Sequence, residues 1–139
     1  MKFDLPIAPS TNHLYANAGK RRIISKNYER WLKAAGIEVN AQRSMFKAHG
    51  LKLPIEENAV VCLFLPYRAT ADLDNRFKAS LDLMVKHNVL KDDNMKVLVN
   101  LSATIDLQLD IHRMQIMVAT ADDMMTGHHT YEETMSGYA

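Results

Sequence analysis

The run Asn58–Leu65, NAVVCLFL, restricts the fold more than any other stretch of the chain. Seven of its eight residues are apolar, and Pro54 and Pro66 bracket it. It is short for a buried helix and rich in strand formers, so it reads as a strand. Successive side chains of a strand point to opposite faces. Apolar residues fill both sets of positions, so the strand belongs at the centre of a sheet, buried on both sides. The remaining chain must supply edge strands and at least one covering layer.

Those parts are readable from periodicity. Residues 2–7 (KFDLPI) alternate and are closed by Pro6 and Pro9, which suggests a first strand at a sheet edge or end. Residues 8–24 read as a polar loop. Ser25 is a suitable N-cap for a helix to about His49, with Tyr28, Trp31, Leu32, Ala35, Val39 and Phe46 at helical spacing and Gly50 as the stop. A second helix is expected from about Asp74 to Lys86, with Leu73, Phe77, Leu81 and Met84 on one face and His87-Asn88 ending it. Lys96–Asp106 and Ile111–Ala119 read as two strands joined by LQLD, a hairpin. The order β-α-β-α-β-β specifies an α/β (α+β) fold, a mixed four-stranded sheet with two helices. Residues 1–119 form one domain, and the polar, aperiodic residues 120–139 read as a tail, flexible or held by a partner.

A chain of 139 residues can bury a core without staples. The lone cysteine, Cys62, excludes an intramolecular disulfide framework and reads as a small buried hydrophobe. Neither a signal-peptide pattern nor an apolar stretch long enough to span a membrane is present, so a soluble, cytoplasmic protein is expected. The net charge of +1 divides unevenly: residues 1–52 carry +7 and residues 53–139 carry −6. The basic excess is densest at Lys20, Arg21, Arg22, Lys26, Arg30 and Lys33, with Tyr28 and Trp31 interleaved. Such a stripe suits phosphate contacts, and it equally suits a solvated helix face.

Acidic residues concentrate in Asp72-Leu73-Asp74-Asn75 and in Asp92-Asp93. Residues i and i+2 point the same way in extended backbone but diverge by about 200° inside a helix. Asp72 and Asp74 can therefore share a ligand only if Asp72 precedes the second helix and Asp74 sits at or near its cap. Clustered carboxylates repel one another, and a hard divalent cation turns that repulsion into affinity. Simpler roles exist for the same residues. Asp74 could be an N-cap, Asp74, Lys78, Asp82 and Lys86 could form an i, i+4 ion-pair ladder, and Asp92-Asp93-Asn94 is a common turn composition. Spacing alone leaves these readings open. An EF-hand loop counted from Asp72 is excluded, since Arg76, Phe77 and Leu83 stand where an oxygen ligand, glycine and glutamate are required. No Ser/His or Cys/His nucleophilic arrangement stands out, and His128-His129 lack fixed partners.

Three segments resemble, in order, the RusA family of Holliday junction resolvases. Pro9–Tyr15 is similar to P-x-S-x-N-x-x-Y, Asp72–Lys78 to D-L-D-N-x-x-K, and Leu90–Val97 to the segment carrying the D-D pair. The resemblance covers about residues 3–118. It implies a crossover junction endodeoxyribonuclease that resolves four-way DNA junctions by paired symmetric nicks and works as a homodimer. It assigns metal binding and catalysis to Asp72, Asp74 and Asp93, with Mg²⁺ as cofactor and Mn²⁺ as a substitute, and gives Lys78 the scissile phosphate. Asn12, Lys20, Arg21, Arg22, Lys26, Arg30 and Arg68 are the expected DNA contacts. The family's run of arginines just before D-L-D is replaced here by Ala69-Thr70-Ala71. A bacterial or phage-infected host cell is the expected setting. The alternatives are a junction-binding protein that does not cleave, a Mg²⁺-dependent nucleotide hydrolase and a plain interaction module that does neither.

Overall fold

The computed structural model describes residues 1–19 and 21–126. Its strands are β1 (Lys2–Pro6), β2 (Tyr15–Ala18), β3 (Arg21–Ile24), β4 (Ala59–Leu65), β5 (Leu98–Ile105) and β6 (Arg113–Thr120). Its helices are α1 (Lys26–Ala48), α2 (Phe77–Lys86) and the short α3 (Ala121–Thr126), and Thr11–His13 form a 3₁₀ turn. The main sheet is ordered β1-β6-β4-β5, with β4 parallel to β5 and antiparallel to β6. A separate antiparallel hairpin joins β2 and β3.

β4 takes the interior position its apolar faces demand. Val61, Leu63 and Leu65 are buried beneath α1 and α2 in one core with Phe3, Leu5, Met114, Ile116 and Val118. Each such side chain, fully buried, contributes about 1.5–3 kcal/mol before entropy is counted. The opposite face is only partly covered: Val60, Phe64 and Met117 are half-buried, although Cys62 is buried as expected. Both long helices lie on the same side, so burial of β4 on both sides holds fully for one face alone.

α1 begins as its sequence dictates, with Ser25 Oγ accepting from the Tyr28 amide at 3.1 Å. Its apolar stripe grips β1 through Phe46 edge-on to Phe3, while the Trp31 indole donates to the Pro6 carbonyl. Arg113 ties β6 to Asp4 of β1 and Glu38 of α1 at 3.2 and 3.3 Å.

Three expectations are corrected. β5 and β6 do not form a hairpin: β4 lies between them, and the connection carries the chain past β4 to pair on its far side. β4 draws a partner to each edge, and local patterning at 107–110 cannot specify which strands those are. Residues 8–24 are not all loop, since the hairpin β2–β3 lies within them. Its strands are almost wholly exposed, so no alternation marks them, and Gly19 at φ 66° enters the turn. α2 starts at Phe77 rather than Asp74, leaving Leu73 exposed outside it. The predicted tail begins in order, with Thr120 closing β6 and α3 following. Residues 127–139, including His128 and His129, lie outside the described residues.

Candidate active site

Parallel strands need a crossover, and β4-α2-β5 supplies one. It places the Pro66–Arg76 loop at the carboxyl end of β4, where α/β sheets collect ligand-binding residues. The loop is pinned from several sides. Asp72 O accepts from the Asn75 amide at 3.3 Å, and Ser80 Oγ donates back to Arg76 O at 2.7 Å. Asn75 O in turn accepts from both the amide and the hydroxyl of Thr11, at 2.9 and 3.1 Å. Arg76 Nη1 donates to Ala8 O at 2.8 Å, and Arg68 Nη2 to Ile111 O at 2.6 Å.

These bonds hold the Pro9–Tyr15 segment against the acid-bearing loop. Between them opens a polar cleft of about 530 Å³, lined by Ser10, Asn12, His13 and Asn27 on one side and by Arg68, Thr70, Asp72, Asn75 and Arg76 on the other. Asp74 lies on the exposed turn just beyond Asp72. It precedes the N-cap position, held by Arg76, by two residues, so capping does not explain the acid there.

Lys78 sits in the first turn of α2. Its ammonium donates to Asp82 Oδ1 at 3.2 Å, while the buried Tyr28 hydroxyl donates to Asp82 Oδ2 at 3.0 Å. The hydrogen bond to Asp82, then the charge of Asp82, raise the Lys78 pKa, and the charge of Asp93 adds to them. Burial first, and then Asp82, push the Tyr28 phenol up as well. Lys78 is therefore fully charged at neutral pH and lies within electrostatic reach of Asp93. Of the ion-pair ladder read from spacing, the Lys78–Asp82 rung is present.

The two acids of the 91–94 turn divide their work. Asp92 builds the turn, accepting from the Asp93 amide at 2.7 Å and from Asn94 Nδ2 at 2.9 Å. Asp93 is half-buried, and among the described residues its carboxylate accepts no hydrogen bond.

Residues 4–119 match the family model described as endodeoxyribonuclease RusA. The chain belongs to the RusA endodeoxyribonuclease family. It is accordingly a hydrolase of DNA phosphodiesters, and RusA membership implies resolution of Holliday junctions. No curated protein matches the chain.

RusA nucleases generally use a divalent metal, and the donors here are of the fitting kind. Asp72, Asp74 and Asp93 offer hard carboxylate oxygens, and that of Asp93 is uncommitted. Among the described residues no three His, Cys, Asp or Glu side chains converge on one point. Mg²⁺ does not require three, because it takes one or two carboxylates and completes its shell with water and substrate oxygens.

The basic stripe is divided between two elements. Arg21 and Arg22 lie exposed on β3, with the Arg22 guanidinium 4.4 Å from the Tyr15 ring centroid. Lys26, Arg30 and Lys33 are exposed on α1, where Lys33 pairs with Glu29 at 3.6 Å. Tyr28 and Trp31 face the core, so they do not interleave with the basic residues on the surface. Lys20 lies outside the described residues. Sequence reasoning missed Arg76 as a cleft residue and the Tyr28–Asp82 pair that holds Lys78. The arginine's own segment gave a signal, since it stands within D-L-D-N-R-F-K, but its neighbour Ala8 is remote in sequence.

Proposed function

We propose that this RusA nuclease is a Mg²⁺-dependent resolvase of four-way DNA junctions that acts as a homodimer. The observation that carries the reading is the meeting of the Pro9–Tyr15 segment with Asp72, Asn75 and Arg76 of the second motif around one polar cleft, with Asp93 of the third motif electrostatically coupled to Lys78. Asp72, Asp74 and Asp93 are the carboxylates from which the metal would draw its one or two protein ligands. Bound Mg²⁺ supplies a Lewis acid to the scissile phosphodiester and acidifies the attacking water. Lys78, steered by Asp82, offsets negative charge developing on phosphorus. Asn12 and Arg68 contact the strand within the cleft, and Arg21, Arg22, Lys26 and Arg30, together with Lys20, track the arms.

A second copy suits the half-covered sheet. Val60, Phe64 and Met117 on the open face form an apolar surface that an isologous interface would bury, whereas Val99, Leu101 and Ile105 of the edge strand β5 are exposed on the helix-bearing face. A junction with two-fold symmetry needs two matching sites, and a C₂ dimer provides them.

The test uses synthetic four-way junction and duplex DNA with Mg²⁺ or EDTA, resolved on a sequencing gel. Cutting of the junction with Mg²⁺ alone is expected. Binding without cutting supports the non-cleaving alternative, and activity on nucleotides only supports the hydrolase.

A further inference from the structure

Two guanidiniums stand at the acid-bearing cleft without a counter-ion. Arg68 precedes Asp72, and Arg76 follows it at the base of α2. Both line the same polar cleft, and both line the smaller depression beside it, each time together with Asp72. Neither forms an ion pair among the described residues.

We propose that Arg76 and Arg68 form a clamp for one backbone phosphate of the substrate strand, beside Asp72. The inference rests on the nuclease reading and deepens it by naming a residue that positions the strand at the acids. Each guanidinium is anchored by a single N–H on a main-chain carbonyl, Arg76 on Ala8 and Arg68 on Ile111. Anchoring holds each guanidinium in place and, among the described residues, leaves its other N–H groups free to donate. An arginine fork matches two phosphate oxygens at once, which a lysine cannot do. Folding has placed two like charges near each other with Arg76 half-buried, an arrangement that disfavours the empty cleft. The neighbouring polar groups, Asn12, Thr70 and Asn75, can donate to the same anion. Asp72 confines the anion to the guanidinium side, since its own charge repels a phosphate unless a cation intervenes.

A purely structural Arg76, holding only the Ala8 carbonyl, is the competing explanation. Full-length protein and the variants R76Q, R76K, R68Q and R68Q/R76Q are bound to a four-way junction in EDTA across a KCl series, with thermal midpoints recorded beside them. The clamp requires R76Q and R68Q each to weaken binding about tenfold, as loss of a charge-assisted bond does. Each should also shallow the slope of log K against log salt by up to about 0.9. R76K should keep the slope while losing affinity and cleavage rate. If R76Q fails to fold, the exposed Arg68 carries the same slope test. A wild-type slope in R76Q with a lowered midpoint, or a wild-type slope in R68Q, overturns the clamp while cleavage by the parent protein still stands. A parent protein that neither binds nor cuts junctions overturns the resolvase reading, and the clamp with it.

Discussion

Replacing Gly36 by alanine should destabilise this protein, against the usual preference of helices. Gly36 is buried in α1 where it passes the end of α2. A Cβ there would lie 2.8 Å from His87 Nε2 and 3.1 Å from its Cε1. The ring cannot swing away freely, because His87 Nδ1 is held by Asn40 Oδ1 at 3.0 Å. Intrinsic helix propensity favours alanine by about 1 kcal/mol. Against that stand overpacking of about 1–3 kcal/mol and the His87–Asn40 bond at about 1 kcal/mol. The net expectation is a loss of about 1–3 kcal/mol, or roughly 3–4 °C in thermal midpoint per kcal/mol for a chain of this size. The control is the H87A background, where the obstacle is gone and G36A should stabilise by up to about 1 kcal/mol. Urea and thermal denaturation of the four proteins complete the cycle. A higher midpoint for G36A with His87 present would falsify the α1–α2 packing described here.

Three further outcomes follow from the site and its surroundings. D72N, D74N and D93N should each abolish cleavage while leaving junction binding and the fold largely intact, whereas loss of Asp92 should cost stability through its turn bonds and spare more of the activity; gel assays beside melting curves separate these. Replacing Lys20, Arg21 and Arg22 with alanine should shallow the salt dependence of junction binding by up to about 0.9 per lost contact, alike for all sequences; an unchanged slope would mark the stripe as a solvated face. Burial, then Lys86 and Arg43, hold the His87 pKa below its ordinary 6.5. The folded state thus resists the proton that the unfolded state accepts, so stability present above pH 6.5 should decline as pH falls through the lowered value, and H87Q should flatten melts compared at pH 7.5 and 5.5.

Much of the fold follows from patterns a few residues long. The two-sided apolar run located β4 inside the sheet, and Ser25 with its downstream stripe set the start of α1. Pairing order was not legible, because the alternation in β6 shows that one face is buried but not which strand lies beside it. The β2–β3 hairpin escaped notice because exposed strands impose no apolar period. The start of α2 was misplaced because Asp74 resembles a cap, whereas the chain stays in a turn until Arg76. For the site, spacing and resemblance singled out Asp72, Asp74, Asp93 and Lys78. Spacing could not show that Asp92 is consumed by its own turn, that Asp82 and Tyr28 hold Lys78, or that Arg76 joins the cleft. The first depends on side-chain geometry within one turn, and the other two on contacts between segments far apart in the chain.

Paired cleavage is the central claim, and a nick map on an immobile four-way junction tests it most directly. Each strand is end-labelled in turn, and the products are sized with Mg²⁺ and with EDTA. The proposed dimer, about 32 kDa or twice the 15.8 kDa chain, would carry two identical sites. It should nick two opposing strands at positions related by the junction's two-fold axis, leave ends that ligase seals, and give no products in EDTA. Nicks placed without that symmetry, or an EDTA-resistant pattern, would contradict the account.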